Sequence, residues 1–345
     1  MNLTDYRTLG RSGLVVSPLA LGTMTFGNSS WGSADSVSRA IFDTYVESGG
    51  NFIDTADVYA GGRSEELLGT YLQGAGLRDR VVLATKFAFS SQRGNPNAAG
   101  NGRKNVHRAL QGSLRRLQTD YIDLYWMHAW DGVTPAEEVL QTFVDLIRDG
   151  RVRYFGLSNM PAWFTAKIAT LAAVHGLPGP VALQVQYSLV ERFAEQELVP
   201  AAREFGLGIT SWSPLAGGFL TGKYRRDAVA GQGRLSGSNP FGDTKFNDAN
   251  WNVLGAVQAV ATESGSGPAQ VALAWLLAQP GVSAPILGAS RVEHLRSNLA
   301  ALDLTLTAAQ LQRLDEHSQG DPASMATMMR GLKRAVFGGV SVNGW

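Results

Sequence analysis

The 345-residue chain contains no cysteine, which removes disulfides, thiolate nucleophiles and cysteine zinc sites together. Its five histidines form neither an HxH nor an HExxH pair, so a metal-dependent barrel hydrolase lacks a histidine-rich ligand set. No run of about 18 apolar residues occurs, and the opening "MNLTDYRTLG" has no apolar signal-peptide core. A cytoplasmic protein without a membrane segment is the expectation. The formal net charge is +1 and no long block of one sign appears, so nothing marks a nucleic-acid or anionic-membrane surface. A small-molecule partner suits such a chain, as monomer or homo-oligomer. Finally there is no GxGxxG, the glycine-rich turn that an open dinucleotide-binding sheet ordinarily carries.

What is present is a repeating pattern. The composition is 44% hydrophobic and 17% charged, with 40 glycines spread along the chain, which suits a substantial globular core. After a short N-terminal pair, "YRTLG" and "LVVSP", that reads as a hairpin, apolar runs appear at 19–22, 51–54, 81–85, 122–127, 152–157, 181–187, 208–210 and 283–287. Between them apolar residues recur at helical spacing, as in Val106, Leu110, Leu114 and Leu117, or Val139, Leu140, Phe143, Val144 and Ile147. Thr134 with Glu137, Ser290 with Glu293 and Thr307 with Gln310 have the spacing of capping boxes. Strand then helix, eight times, with near-continuous apolar strands, predicts a parallel sheet buried on both faces. The economical closure is a (β/α)8 TIM barrel formed by one domain over residues 1–345, with a doubly wound open sheet as the alternative. Two extra helices are expected, one over about 249–263. Long loops after strands three and seven, and a tail over about 318–345 able to fold across the site, complete the layout.

A barrel gathers the C-terminal ends of its strands around one mouth, where catalytic residues stand. The stretch "NFIDTADVYA" ends an apolar run in Asp54 and follows it with Asp57 and Tyr59, groups a core strand does not need. Lys86 ends strand three, His128 follows strand four, Ser158 and Asn159 follow strand five, Gln184 and Tyr187 belong to strand six, Trp212 follows strand seven and Gly288 strand eight.

These residues carry a resemblance. The stretches "YRTLGRSGLVVSPLALGTMTFG", "NFIDTADVYAGGRSEELLG", "VVLATKF", "YIDLYWMH", "GRVRYFGLSN", "SWSPLAGGFLTGKY" and "ALAWLLAQPGVSAPILGAS" resemble, in order and spacing, the aldo-keto reductases, and within them the branch of bacterial NADPH-dependent enzymes related to the beta subunits of voltage-gated potassium channels. The resemblance implies a barrel that reduces an aldehyde or ketone with NADPH, NADH being less favoured, and a nicotinamide-sensing regulatory subunit as the alternative. It assigns catalysis to Asp54, Tyr59, Lys86 and His128. A lysine about 4 Å from a phenol favours the phenolate by roughly 4 kcal/mol at an effective dielectric near 20, which tunes Tyr59 as proton donor. Asp54 would hold Lys86, His128 would bond the carbonyl oxygen, and Asp57 would stand behind them or in solvent.

For the cofactor the resemblance suggests Ser158, Asn159 and Gln184 on the carboxamide, with Trp212 stacked on the ring. The pyrophosphate would follow Ser213, Pro214, Leu215 and Gly217 to Lys223, with Arg234 closing over it. Gly22, Thr23, Met24 and Gly288 complete the rim. Ser290, Arg291 and Asn298 would meet a 2'-phosphate and the adenosine, with His294 and Ser297 departing from the related branch, which usually has Gln or Arg and then Glu. Trp31, Phe89, Trp130 and Phe246 would wall a site for a bulky or apolar carbonyl compound.

Overall fold

The computed structural model describes residues 1–28, 30–90, 92–226, 235 and 245–319. Arg234 and the tail beyond Gln319 therefore lie outside the described residues. Strands β1 (Arg7–Thr8) and β2 (Val15–Val16) form the expected antiparallel hairpin. Eight parallel strands follow: β3 (Ala20–Gly22), β4 (Phe52–Asp54), β5 (Val82–Phe87), β6 (Ile122–Met127), β7 (Val152–Ser158), β8 (Ala182–Gln186), β9 (Gly208–Trp212) and β10 (Ile286–Gly288). They pair in the order β10-β3-β4-β5-β6-β7-β8-β9, and the ring closes where Ile209 of β9 bridges to Val282, just ahead of β10. An open doubly wound sheet reverses its strand order at a switch point. This sheet does not, and the fold is a (β/α)8 barrel.

Helices α1 (Asp35–Glu47), α2 (Arg63–Ala75), α3 (Arg103–Leu117), α4 (Ala136–Arg148), α5 (Ala162–Val174) and α6 (Leu198–Phe205) each return the chain from one strand to the next. After β9 come α7 (Asp248–Ser264) and α8 (Pro268–Leu277), and after β10 come α9 (Val292–Leu299) and α10 (Ala308–Ser318). Helices α7 and α10 stand outside the eightfold repeat and pack on each other. They are the two extra helices.

Only one of the three predicted capping boxes forms. At α10, Gln310 N–H donates to Thr307 Oγ1 at 3.3 Å and Thr307 N–H to Gln310 Oε1 at 3.0 Å. At α4 the N-cap is Pro135, and Thr134 instead donates its hydroxyl to Asp131 Oδ2 at 2.6 Å, because a charged carboxylate is the stronger acceptor. At α9 the N-cap is Arg291, one residue beyond Ser290.

Side chains alternate between the two faces of a strand, and here the alternation positions the site. The inward residues at the lower levels are apolar: Ala20, Phe52, Val82, Ala84, Leu124, Trp126, Ala182, Ala284 and Ile286 join Leu9, Leu14 and Val16 of the hairpin region in one buried cluster. The hairpin thus plugs the N-terminal end. Trp126 fills the interior against Gly156 of β7, where a Cβ would come within 2.2 Å of the indole. One pleat higher on the same faces stand Asp54 above Phe52, Lys86 above Ala84, His128 above Trp126 and Gln184 above Ala182. The polar residues are the top layer of an otherwise apolar barrel.

Candidate active site

The loop after β4 keeps pairing with β5 beyond the strand proper. Thr55 N–H donates to Ala84 O at 2.9 Å and Asp57 N–H to Lys86 O at 3.1 Å. The chain then enters a short 3-10 turn, Tyr59–Gly62, in which Ala60 adopts φ 49°, and this returns Tyr59 to the barrel mouth. Left-handed backbone at residues other than glycine is costly and gathers at functional sites. Ala60, Ala88, Asn159, Ser213 and Ala216 all carry it, and all lie just past the C-terminal end of a strand.

Lys86 is fully buried and Asp54 nearly so. The ammonium makes an ion pair with Asp54 Oδ1, donates to Thr55 O at 2.7 Å and reaches Tyr59 Oη at 3.4 Å. Burial works to lower the Lys86 pKa, but the charges of Asp54 and Tyr59 and the hydrogen bonds to them hold it above its ordinary value. The second Asp54 oxygen accepts from Gln184 Nε2 at 2.9 Å. His128 lies edge-on to Tyr59, ring centres 6.0 Å apart. Burial first, and Lys86 second, push its pKa well below the usual imidazole value. It is a neutral ring at neutral pH, and its buried Nδ1 has no hydrogen-bond partner among the described residues.

On the β7 side Asn159 (φ 52°) ties three elements together. Its Nδ2 donates to His128 O at 2.9 Å and to Ser158 Oγ at 3.0 Å, and its Oδ1 accepts from Trp212 Nε1 at 3.1 Å. The half-buried indole of Trp212 is thereby fixed at the mouth. Past it the chain turns through Ser213 (φ 53°), Ala216 (φ 50°) and Gly217 (φ 66°). Lys223 folds back over Gly218, where a Cβ would come within 2.8 Å of its Nζ. Beyond β10, Ser290 Oγ stands 3.4 Å from His294 Nδ1. Burial lowers the His294 pKa, and the nearby charges of Arg291 and Lys223 lower it further. The structure thus brings Lys223, Ser290, Arg291 and His294 together as a basic cluster. A held aromatic plane can stack on a flat ring, and a group of basic side chains can bind phosphate.

Other sequence assignments fall differently. Thr23 is fully buried, its hydroxyl donating to Asp54 O at 3.2 Å and lying 2.8 Å from Ser64 Oγ, so it braces the site from behind. Gly22 serves strand packing, since a Cβ there would lie 2.6 Å from Ile286. Pro214 and Asn298 are buried, whereas Met24, Trp31 and Leu215 are half-buried and Gly288 is exposed. Phe246 packs with Tyr224, Phe219 and Trp251 against the main hydrophobic core. Asp57 is buried rather than solvated. Burial, with Glu65 adding to it, raises its pKa to about 7 against the pull of Arg116 and Arg108, and its Oδ1 has no hydrogen-bond partner among the described residues. Trp163 was missed by the sequence reading, although "SNMPAW" sets an indole just after the end of β7.

A barrel mouth joining a buried carboxylate–ammonium pair, a tyrosine hydroxyl and a neutral imidazole is equipped to pass a proton to or from a substrate oxygen. The sequence profile of the aldo/keto reductase family matches residues 18–319, and the chain belongs to that family. It is 39% identical over 324 residues to YrpG, an uncharacterized oxidoreductase of Bacillus subtilis (strain 168), covering 90% of this chain and 95% of that one. It is 35% identical over 326 residues to a probable voltage-gated potassium channel subunit beta of Oryza sativa subsp. japonica, covering 92% and 98%. It is 34% identical over 324 residues to an aryl-alcohol dehydrogenase [NADP(+)] of Phanerodontia chrysosporium, covering 88% and 83%.

Proposed function

We propose that the protein reduces the carbonyl group of an aldehyde or ketone to an alcohol, and runs the reverse oxidation, with NADPH as its cofactor. The observation that carries this reading is the fully buried Lys86, charged between Asp54 and a tyrosine hydroxyl 3.4 Å away. When bound, the nicotinamide supplies the hydride. The chain supplies the rest. Tyr59 gives its proton to the oxygen of the reacting carbonyl, and Lys86 stabilises the phenolate left behind. Asp54 keeps Lys86 charged and aimed. His128, neutral, donates a hydrogen bond to the same oxygen and so stabilises negative charge that develops there. Ser158 and Asn159 hold the carboxamide, Trp212 presents a flat face to the ring, and Lys223, Ser290, Arg291 and His294 take the phosphates. Gln184 already donates to Asp54, so its amide oxygen is the part that faces the carboxamide.

The test is NADPH consumption against a panel of carbonyl compounds, with Tyr59→Phe beside the unmodified protein. Turnover lost in the variant with NADP+ binding kept supports the reductase. A second reading, a nicotinamide-sensing subunit, is favoured by the relative named as a potassium channel subunit. Tight NADPH binding with no turnover in either protein, together with a stable partner in a pull-down, would select it.

A further inference from the structure

The barrel mouth carries aromatic surface that proton transfer and cofactor binding leave unused. Trp163 opens α5 and is 57% exposed, and Trp130 beyond β6 is 36% exposed. Their rings meet edge to face, 5.6 Å apart at 89°, and both rest on the buried Phe164.

This pair is held in place. Trp130 N–H donates to Asn159 O at 3.3 Å, and Asn101 Nδ2 donates to the neighbouring Ala129 O at 3.0 Å. Asp131 accepts the N–H groups of Asn101, Val133 and Thr134 at 2.8, 3.0 and 2.9 Å. Burial alone would raise the Asp131 pKa, but these bonds and that from the Thr134 hydroxyl lower it to about 2. The clamp therefore stays charged at any working pH.

The pair also continues the site. Asn159, which holds Trp130, is the residue that binds the His128 carbonyl and Trp212. On the other flank Phe89, 49% exposed, packs edge-on against His128 at 4.7 Å. Outward, Lys167 lies one helical turn from Trp163 and pairs with Glu137 at 2.8 Å, which ends the apolar surface in a polar rim. A held, apolar corner made by two perpendicular indoles, one of them two residues beyond His128, suits a second aromatic ring. It offers few of the hydrogen-bond partners a sugar needs.

We propose that Trp130 and Trp163 form an outer subsite that binds the distal ring of a fused or two-ring aryl carbonyl substrate, with Trp163 as the residue that sets this preference. The proposal rests on the reductase reading. A preorganised ring contact of this kind corresponds to a factor of about ten in affinity.

The experiment compares propanal, benzaldehyde and 2-naphthaldehyde as substrates of the unmodified protein, Trp163→Ala and Trp163→Phe, and titrates each protein with 2-naphthalenemethanol by calorimetry. Trp163→Ala is expected to raise KM for 2-naphthaldehyde about tenfold with kcat kept, to leave propanal unchanged, and to be rescued largely by Trp163→Phe. An equal change for all three aldehydes, or none for 2-naphthaldehyde, overturns the subsite. If the unmodified protein reduces none of them, the reductase reading fails for these substrates and the titration decides alone. Weaker binding to Trp163→Ala then upholds the subsite, and equal or absent binding overturns it.

Discussion

Lys86 and Asp54 form an ion pair with almost no contact with solvent, and the remaining hydrogen bonds of both groups lead to Thr55, Tyr59 and Gln184. Among the described residues, each is the other's ion-pair partner. Breaking a buried pair by removing one partner leaves an unpaired charge and typically costs about 3–5 kcal/mol. Asp54→Asn is therefore expected to lower stability by that amount in urea unfolding, while Lys86→Met, which also removes a cation beside Tyr59, is expected to lower kcat for carbonyl reduction by about 10²–10⁴. A kcat for Lys86→Met within about threefold of the original would show that Tyr59 needs no cation.

The apolar layer beneath the site depends on one missing side chain. A Cβ on Gly156 would lie 2.2 Å from the Trp126 ring and 2.9 Å from Ala182 O. The second contact is with backbone, which cannot turn aside. Gly156→Ala should cost about 1–3 kcal/mol or more through overpacking, read as a lower urea midpoint. Adding Trp126→Leu should recover part of that loss. If the two changes instead add independently, the ring is not what Gly156 accommodates.

Asp57 predicts a pH dependence of stability. Its carboxyl titrates at about 7 in the folded chain and near 4 in an unfolded one. Between those values the folded state holds a proton that the unfolded state has released, so stability falls as pH rises through the window, by about 4 kcal/mol at most, and levels off above it. Asp57→Asn cannot ionise. The difference in unfolding free energy between variant and original should grow in the variant's favour from about pH 4 to 7 and then stay constant, measured by urea titrations across that range. A difference independent of pH would place a charged Asp57 throughout.

The strand pattern was legible because parallel strands buried on both faces are continuous apolar runs, and their ends were legible because Asp54, Lys86 and His128 interrupt those runs at the same level of the barrel. Side-chain commitments were not. Thr23 and Gln184 have the chemistry of cofactor ligands, yet the first is walled in by Ser64 and the backbone of Asp54, and the second spends its amide nitrogen on the Asp54 carboxylate, which leaves its oxygen. Such competition is decided by neighbours distant in sequence. Thr134 differs: its spacing to Glu137 fits a cap, but its hydroxyl goes to Asp131, three residues away on the other side. Asp57 looked like any polar loop residue. Only the packing of α2 and α3 over it, which brings Glu65, Arg108 and Arg116 near, reveals a buried carboxyl.

His294 gives the cofactor assignment a signature independent of turnover. In the free chain its imidazole faces Arg291 and Lys223, with Glu293 opposing them, and lies 3.4 Å from Ser290 Oγ. Burial and those two cations keep it neutral below its ordinary pKa. A 2'-phosphate placed among these groups reverses the sign of the local field, because a dianion favours the imidazolium. Binding then takes up a proton, and affinity for NADP+ rises as pH falls through the raised pKa of the bound ring, levelling off below the lowered pKa of the free one. NAD+, which lacks that phosphate, should show much less of this dependence, so the ratio of the two affinities should widen toward acid pH. Titrations followed by tryptophan fluorescence between pH 5.5 and 8.5 check this directly. His294→Gln should flatten the NADP+ curve while leaving NAD+ binding within about twofold. If NADP+ and NAD+ respond to pH identically in the original protein, the phosphate does not reach His294.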